Sequence, residues 1–250
     1  MNTLDSLFDL SGKTALITGA RTGIGQAAAV ALADYGCDII GLGSTAMSET
    51  ADLVRKSGRG FTELLCDLSI DNDYDTLLEG LEVDILINNA GQIRRDNLLE
   101  FDRVDWDDVL QINLTSAFRL SQSVARLMIA SKRNGRIVNI ASLLSFQGGI
   151  RVASYTAAKH GLLGITRAMS NELADKGITV NAIAPGYIET DNTLDLRNDP
   201  ERYNEILSRI PVGRWGKPTD ISSTIVYLCS PASGFVTGSC ISVDGGWLAR

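Results

Sequence analysis

The sequence is poor in histidine and cysteine and lacks long apolar runs. His160 is the only histidine, which excludes a His-rich zinc site, and a Ser-His-Asp triad would have to use that residue. The four cysteines form no CxxC pair, so we expect buried free thiols in a reducing compartment. No apolar stretch reaches the roughly 18 residues of a membrane span, and the amino-terminal stretch lacks a secretory signal pattern. We expect a cytoplasmic protein with no metal centre and no membrane partner.

An excess of basic residues is also absent. The formal net charge is −7 and the isoelectric point about 4.8, which argue against nucleic acid as a partner. Hydrophobic residues make up 44% of the 250 residues. A chain of this size and composition can bury one substantial core.

Short apolar strands alternate with helical segments along residues 1–250. Strands are expected at 13–18, 37–42, 61–67, 83–91, 135–142, 178–186 and 239–246. Helices are expected at 23–36, 49–58, 105–132, 154–177 and 219–230. This order predicts an α/β fold, a single-domain Rossmann-type doubly wound parallel sheet with helices on both faces. The polar segment 187–214 is unsuited to the core and is expected to be a substrate lid beyond the carboxyl ends of the strands.

A glycine-rich turn joins the first strand to the first helix of this pattern. The stretch TGARTGIG (18–25) places Gly19, Gly23 and Gly25 at G-x-x-x-G-x-G spacing. Glycines allow a sharp turn and a close approach of the backbone to a pyrophosphate, and the N–H groups of a helix N-terminus favour anions. Glycine is common in turns, but a strand–turn–helix unit with this spacing predicts nucleotide binding.

The residue after the second strand bears on the choice between NAD and NADP. An acidic residue there accepts hydrogen bonds from the ribose 2′-OH of NAD, but this sequence has Gly43. This position therefore has no carboxylate that would repel a 2′-phosphate. Arg21, Ser44 and Thr45 could bind such a phosphate. Thr22, which precedes the second glycine, is uncharged, and Arg21 could equally be a solvated loop charge.

A serine, a tyrosine and a lysine occur together between Ala141 and Gly161. Tyr155 and Lys159 are four residues apart on an expected helix, so their side chains share one face. A phenol has a pKa of about 10, and a neighbouring ammonium favours its ionised form. Ser142 ends the preceding strand and can hold a substrate oxygen. A tyrosine–lysine pair alone is more often a surface feature, but together with the glycine turn it predicts proton transfer.

These motifs together resemble the short-chain dehydrogenase/reductase family over nearly the whole chain. The similar motifs are the glycine turn, NNAG at 88–91, Asn113 in the long helix, the Ser142–Tyr155–Lys159 set and PGYIET at 185–190. The resemblance implies hydride transfer between a nicotinamide and a secondary alcohol or ketone, with Tyr155 as acid or base and Asn113 holding a proton-relay water. Ile188 and Thr190 are then expected to hold the nicotinamide carboxamide.

The resemblance also implies which residues contact the dinucleotide. Asp67 is expected at the adenine ring, and Asn89 and Ala90 beside the adenosine ribose. Catalytic Tyr155 and Lys159 are expected to contact the cofactor as well. The remaining expected contacts are Gly19, Arg21, Thr22, Gly23, Ile24, Gly25, Ser44, Leu68, Gly91, Pro185 and Gly186.

Several stretches resemble one branch of this family that acts on deoxy sugar acids. They include SFQGGIRVASYTA (145–157), RIPVGRWG (209–216) and VDGGWLAR (243–250). The resemblance implies 2-deoxy-D-gluconate or 2-dehydro-3-deoxy-D-gluconate as substrate, with NAD favoured and NADP possible because of Gly43. Arginine suits a carboxylate, and Arg94, Arg95 and Arg151 are candidates for it. One of them is expected to touch the substrate, and the other two could form surface or intersubunit salt bridges. The other expected substrate contacts are Ser142, Gln147, Tyr187 and Asn192.

Two other functions fit the same fold. A 3-oxoacyl-carrier-protein or general carbonyl reductase would share the catalytic set, but a basic docking patch for an acidic carrier is not evident. A non-catalytic dinucleotide sensor would have no need for Tyr155. The resemblance also implies a homotetramer, with the long helices and the carboxyl-terminal tail at its interfaces.

Overall fold

Seven strands form one parallel sheet in the computed structural model, which describes residues 3–250. The strands are β1 (Thr14–Thr18), β2 (Asp38–Gly43), β3 (Phe61–Leu65), β4 (Ile85–Asn88), β5 (Gly135–Ile140), β6 (Ile178–Pro185) and β7 (Cys240–Val243). Their spatial order is β3-β2-β1-β4-β5-β6-β7, and each neighbouring pair is parallel. The predicted doubly wound sheet is confirmed. The strand order reverses between β1 and β4, where ligands bind in such sheets.

The helices lie between the strands in the alternation that the sequence predicts. They are α1 (Thr3–Phe8), α2 (Gly23–Asp34), α3 (Ser48–Lys56), α4 (Tyr74–Leu77), α5 (Arg103–Leu110), α6 (Ser116–Ala130), α7 (Ala153–Leu173), α8 (Leu194–Asn198), α9 (Pro200–Arg209) and α10 (Pro218–Cys229). Single 3₁₀ turns occur at Leu143–Ser145, Ala174–Lys176, Asp191–Thr193, Pro231–Ser233 and Trp247–Ala249.

Alternate residues of the strands pack against helices on opposite faces of the sheet. Ala15 and Ile17 of β1 join a core with buried residues of α2, α3 and α10. Leu16, between them, joins a second core with α4 and α6, and with Met169 of α7 packed against it. Because side chains along a strand point alternately to the two faces, one short apolar strand supplies both cores.

The helix expected over 105–132 contains a π-helical turn at Gln111–Thr115, between α5 and α6. Asn113 lies in this turn and is buried, and its side-chain Nδ2 donates to the carbonyl oxygen of Val109 at 2.9 Å. A side chain that bonds to the carbonyl four residues back competes with the regular helical hydrogen bond. Local π-helical turns inside α-helices occur frequently at functional sites.

Segment 187–214 is more ordered and more buried than its polar composition suggests. It contains a 3₁₀ turn, α8 and α9. Ile206 and Ile210 are buried in a small core with Leu143, Trp215 and Trp247. The expectation that this segment is unsuited to core packing is therefore wrong, because α9 is amphipathic and buries one face.

A chain of buried polar groups crosses the centre of the sheet. Asn88 of β4 donates through Nδ2 to Ser121 Oγ on α6 and to Asn139 Oδ1 on β5, both at 2.8 Å. Asn139 Nδ2 in turn donates to Thr166 Oγ1 on α7 at 2.8 Å. All four side chains are buried. The network ties two strands and two helices together just below the carboxyl edge of the sheet.

We predict that Asn139→Ala lowers the free energy of unfolding by about 2 to 3 kcal/mol, because it leaves buried donors and acceptors without partners. Urea denaturation followed by circular dichroism measures the change. The exposed Asn198→Ala on α8 is the control and should alter stability little. Equal stability of the two variants would show that the network contributes no net stability.

Candidate active site

The glycine turn lies between β1 and α2, as the sequence predicts. Gly19 and Gly23 have φ angles of +67° and +59°, in the left-handed region that favours glycine. Gly25 lies in the first turn of α2, and a Cβ on it would come within 2.2 Å of the carbonyl oxygen of Gly19. The three glycines therefore let the start of the helix pack directly on the turn.

The start of α2 has the character of an anion site. No side chain caps its N-terminus, and its first turn contains no acidic residue. Gly23 and Ile24 at this end line a large cavity. Free backbone N–H groups and the positive end of the helix dipole suit a phosphate. The residues at this position fit the pyrophosphate of a dinucleotide.

The end of β2 lines the same cavity without a carboxylate. Gly43 ends the strand, and Ser44, Thr45 and Arg21 line the cavity beside it. A Cβ added to Gly43 would meet only the sulfur of Met47, at 4.0 Å. The position therefore has room for a side chain, although the sequence has none there.

Hydrogen bonds hold together the loops that follow β1 and β4. Thr18 Oγ1 accepts from the backbone N–H groups of Asn89 and Ala90, both at 2.9 Å. Asn89 Nδ2 donates to the carbonyl oxygens of Thr18 and Gly19 at 2.9 and 3.2 Å. The two loops meet where the strand order reverses, and these contacts determine the width of the cleft between them.

Ser142, Tyr155 and Lys159 come together at the carboxyl end of β5. Ser142 follows that strand, and its Oγ accepts from the N–H of Leu144 at 3.1 Å. Lys159 is 3% exposed and donates through Nζ to the carbonyl oxygen of Ile140 at 2.7 Å. Its Nζ lies 5.4 Å from the centre of the Tyr155 ring. The i, i+4 spacing thus brings phenol and ammonium onto one face of α7.

Burial opposes the charged form of both Tyr155 and Lys159. It raises the pKa of Tyr155 to about 12, against the effect of a hydrogen bond with Ser142 and the positive charge of Arg95. It lowers the pKa of Lys159 to about 8. The positive charge that opposes burial at Tyr155 is that of Arg95, while the Lys159 ammonium donates to the Ile140 carbonyl.

Asn113 lies behind the wall of the cavity, and its neighbour Ile112 lines it. Asn113 Nδ2 donates to the carbonyl oxygen of Gln92, in the loop after β4, at 2.9 Å. Its Oδ1 is buried without a hydrogen-bond partner among residues 3–250. This side chain fastens the π-helical turn to the loop that carries the NNAG motif.

One cavity of about 910 Å³ joins these features, a size suited to a ligand site. The expected cofactor contacts that line it are Gly19, Arg21, Thr22, Gly23, Ile24, Ser44, Asp67, Leu68, Asn89, Ala90, Gly91, Tyr155, Lys159, Pro185, Gly186, Ile188 and Thr190. The expected substrate contacts that line it are Arg94, Ser142, Gln147, Tyr187 and Asn192. Three expected site residues lie outside this lining, namely Gly25, Asn113 and Arg151.

Two of the candidate arginines are placed poorly for a substrate carboxylate. Arg94 is exposed, and its Nε lies 3.2 Å from Asp105 Oδ1 in an ion pair. Arg151 is exposed, with a left-handed φ of +65°. Its backbone carbonyl accepts from the N–H of Asp96, at 3.0 Å. Arg151 does not line the cavity, although its neighbours Ile150 and Val152 do.

The cavity lining also contains charged and aromatic residues that sequence motifs did not select. They are Arg202, Glu205 and Arg209 on α9, and Trp247 at the carboxyl terminus. Arg95, one of the arginines that the sequence offers for the carboxylate, also lines the cavity. The others belong to segments that reach the cavity only through tertiary packing.

Two contacts join segment 187–214 to loops across the cavity. Thr22 Oγ1 donates to Asp191 Oδ2 at 3.2 Å. Arg95 Nη2 donates to the carbonyl oxygen of Asn192, also at 3.2 Å. The segment thus touches the glycine turn and the loop after β4.

Within residues 3–250, no helix is long and apolar enough to cross a membrane. The described chain also holds no group of three His, Cys, Asp or Glu side chains placed to bind a metal ion. Cys37, Cys66 and Cys229 are buried free thiols, as predicted, and Cys240 is partly buried.

Known proteins share this sequence and fold over nearly their whole lengths. The family model described as enoyl-(acyl carrier protein) reductase matches residues 19–248. 2-Dehydro-3-deoxy-D-gluconate 5-dehydrogenase of Escherichia coli (strain K12) is 52% identical, covering 98% of this chain and 99% of that protein. The enzyme of the same name from Bacillus subtilis (strain 168) is 51% identical over 100% of both chains.

A solved structure agrees with these relatives. An Agrobacterium tumefaciens protein described as a 2-deoxy-D-gluconate 3-dehydrogenase, with bound NADP, is 51% identical. It superposes with a TM-score of 0.93 over 98% of this chain and 99% of its own. The resemblance found in the sequence is confirmed, and the chain belongs to the short-chain dehydrogenase/reductase family of NAD(P)-dependent oxidoreductases.

Proposed function

We propose that the protein interconverts a secondary alcohol and a ketone of a deoxy sugar acid, 2-deoxy-D-gluconate or 2-dehydro-3-deoxy-D-gluconate. The observation that carries the proposal is the placement of Ser142, Tyr155 and Lys159 in the cavity that the glycine turn also lines. Relatives that are 51–52% identical over essentially the whole chain bear the name of a sugar-acid dehydrogenase. Their similarity supports this class of substrate.

In oxidation, Tyr155 accepts the proton of the substrate hydroxyl, while Ser142 holds its oxygen. When bound, the nicotinamide supplies the hydride acceptor at its C4 carbon. Lys159 keeps a positive charge next to the phenol below its lowered pKa of about 8 and favours the ionised state. In reduction, Tyr155 returns the proton to the ketone oxygen. Pro185, Gly186, Ile188 and Thr190, at the end of β6, would hold the nicotinamide carboxamide.

We also propose that Asn113 contributes by fixing the π-helical turn to the loop after β4, where a proton-relay water would be held. Its buried Oδ1, without a partner among the described residues, supports a role in binding such a water.

Segment 187–214 is proposed to act as a lid over the substrate. Its contacts to Thr22 and Arg95 span the mouth of the cavity, and its residues Ile188 and Thr190 line the inside. Ile206 and Ile210 anchor the far end of the segment in a buried core, so opening would move the part near Asp191 and break its two hydrogen bonds across the mouth. Such contacts contribute modestly to stability, which suits a segment that moves.

The homotetramer implied by the resemblance is also a proposal. Val104 and Trp106 on α5 and Phe118 on α6 are exposed apolar side chains in the single chain. Exposed apolar residues on neighbouring helices favour a contact between subunits.

We predict that Tyr155→Phe abolishes turnover of the sugar acids, while its fold and its binding of NAD⁺ or NADP⁺ remain intact. The variant keeps the ring and removes the group that exchanges the proton. Absorbance at 340 nm with both acids, and cofactor titration by fluorescence, measure the two properties. Tyr227→Phe on α10 is the control, because the Tyr227 ring packs against the core that β1 forms with α2, α3 and α10.

Retained oxidation by Tyr155→Phe would refute the catalytic assignment. If the wild-type enzyme instead turned over an acetoacetyl thioester and neither sugar acid, the carrier-protein reductase alternative would replace the proposal.

We predict that Arg95→Gln moves the rising limb of the pH profile for alcohol oxidation to higher pH. The positive charge of Arg95 acts to lower the pKa of Tyr155, against burial and alongside the Ser142 hydrogen bond. Its removal raises that pKa, so less phenolate exists at a given pH. Ketone reduction, which uses the protonated phenol, should keep its rate near neutral pH.

Arg151→Gln is the matched control for this profile, because Arg151 lies outside the cavity lining. An unshifted profile for Arg95→Gln, or an equal shift for both variants, would contradict the role given to Arg95.

The cofactor is proposed to be NAD. The residues at the end of β2 would also allow NADP to bind. Gly43 leaves no carboxylate there, and a relative of known structure holds NADP. We predict that Gly43→Asp weakens NADP use about tenfold or more relative to NAD, equivalent to ~1.4 kcal/mol of repulsion. The space beside Gly43 accommodates the new side chain.

Gly43→Asn is the control, since it adds similar volume without charge. Steady-state constants for both cofactors provide the comparison. If NADP and NAD were affected equally by Gly43→Asp, the position would not face the 2′ substituent.

A further inference from the structure

The carboxyl-terminal residues turn back sharply toward the cavity. Gly245 and Gly246 have left-handed φ angles of +64° and +89°. Asp244 accepts through its two carboxylate oxygens from the N–H groups of Gly246 and Leu248, both at 2.9 Å. This turn places Trp247 in the interior, where it is 5% exposed. The local sequence therefore specifies where that indole lies.

The indole of Trp247 contacts two polar residues that line the cavity. Its Nε1 donates to Gln147 Oε1, in the loop after β5, at 3.1 Å. The guanidinium carbon of Arg209, on α9, lies 4.0 Å from the centre of its ring. The ring of Tyr187 packs 4.8 Å away. The side chain of Trp247 thus joins the loop after β5 to the last turn of α9.

The contact with Trp247 determines which end of the Gln147 amide is free. An indole N–H can only donate, so the atom facing it must be the amide oxygen. The amide nitrogen is therefore left to donate to a ligand. Gln147 is half-buried and lines the cavity, so this donor is available at its wall.

Arg209 brings a positive charge to the same part of the cavity. Glu205, the nearest carboxylate on α9 that also lines the cavity, pairs with Arg202. Burial raises the pKa of Tyr187, and the charges of Arg202 and Arg209 act against that rise. Stacking on an indole holds a guanidinium in place and leaves its edge free for an anion.

We infer that Arg209 and the Gln147 amide nitrogen form the subsite for the substrate carboxylate, and that Trp247 is the positioning residue that holds both. The inference rests on the proposed sugar-acid function. A carboxylate accepts from a guanidinium and an amide N–H together. The expected carboxylate ligands Arg94 and Arg151 are replaced in this role, since one is paired with Asp105 and the other lies outside the cavity.

Arg95 and Arg209 serve different ends of the substrate in this arrangement. The charge of Arg95 acts on the phenol of Tyr155, where the reacting oxygen binds. Arg209 lies with Tyr187 and Trp247. A sugar acid whose reacting carbon faces Tyr155 can then extend its carboxylate toward the carboxyl-terminal tail.

The test uses Trp247→Phe, which keeps an aromatic ring beneath Arg209 and removes the N–H donor together with part of the indole. Trp215→Phe is the matched control, because the buried Nε1 of Trp215 in the same aromatic cluster has no partner among residues 3–250. Gln147→Glu keeps an oxygen for Trp247 and replaces the free donor by a negative oxygen. Arg209→Met removes the charge. Each full-length variant is assayed with both sugar acids and with their neutral carboxamides.

We expect Trp247→Phe, Gln147→Glu and Arg209→Met each to raise KM for the acids about tenfold or more, the loss of roughly one charge-assisted hydrogen bond. The kcat and the KM for the cofactor should stay close to wild type. KM for the carboxamides should change little in Arg209→Met. Trp215→Phe should match the wild-type enzyme.

Equal KM values for the acids in Trp247→Phe and Trp215→Phe would overturn the positioning role. If Trp247→Phe did not fold, unchanged KM values in Gln147→Glu and Arg209→Met would overturn the subsite. A wild-type enzyme that oxidised neither acid would instead refute the proposed function, and this inference with it.

Discussion

Burial of two titratable groups at one edge of the sheet is the constraint on which the rest of the site depends. The phenol of Tyr155 and the ammonium of Lys159 are both buried away from solvent, and burial disfavours the charged form of each. The Ile140 carbonyl stabilises the ammonium through a bond of 2.7 Å. The phenol depends on positive charge nearby, which Arg95 supplies in part. In the proposed reaction a cationic nicotinamide would supply more, and it would favour ionisation of the phenol in the complex.

The fold holds that edge in place with polar contacts beneath and beside it. Thr18 and Asn89 join the loops after β1 and β4, and the Asn88–Asn139 network fastens the strands below. The glycine turn and the catalytic helix α7 are consequently fixed relative to each other. Segment 187–214 and the tail close the other side of the cavity through contacts that are weaker or more local.

Much of this arrangement could be predicted from the sequence, because it depends on local patterns. Alternating apolar strands and helices specify the sheet, and the glycine spacing and the Tyr155–Lys159 interval specify two ends of the cavity. Other features arise from tertiary packing. The π-helical turn depends on Asn113 bonding to a loop more than twenty residues earlier. Arg209 and Trp247 look like an ordinary helix residue and an ordinary terminal aromatic until the chain folds. Arg151 shows the reverse, since a plausible ligand in the sequence lies outside the cavity lining.

In the proposed reaction, Tyr155 has a very high pKa in the free protein and a lower pKa beside the bound cofactor. Ultraviolet titration of tyrosine ionisation, taken as the difference between wild type and Tyr155→Phe, with and without saturating NAD⁺, measures this change. We expect a pKa of about 12 in the free protein and a clearly lower pKa in the complex. The same high pKa in both forms would contradict the role of the phenol as a base.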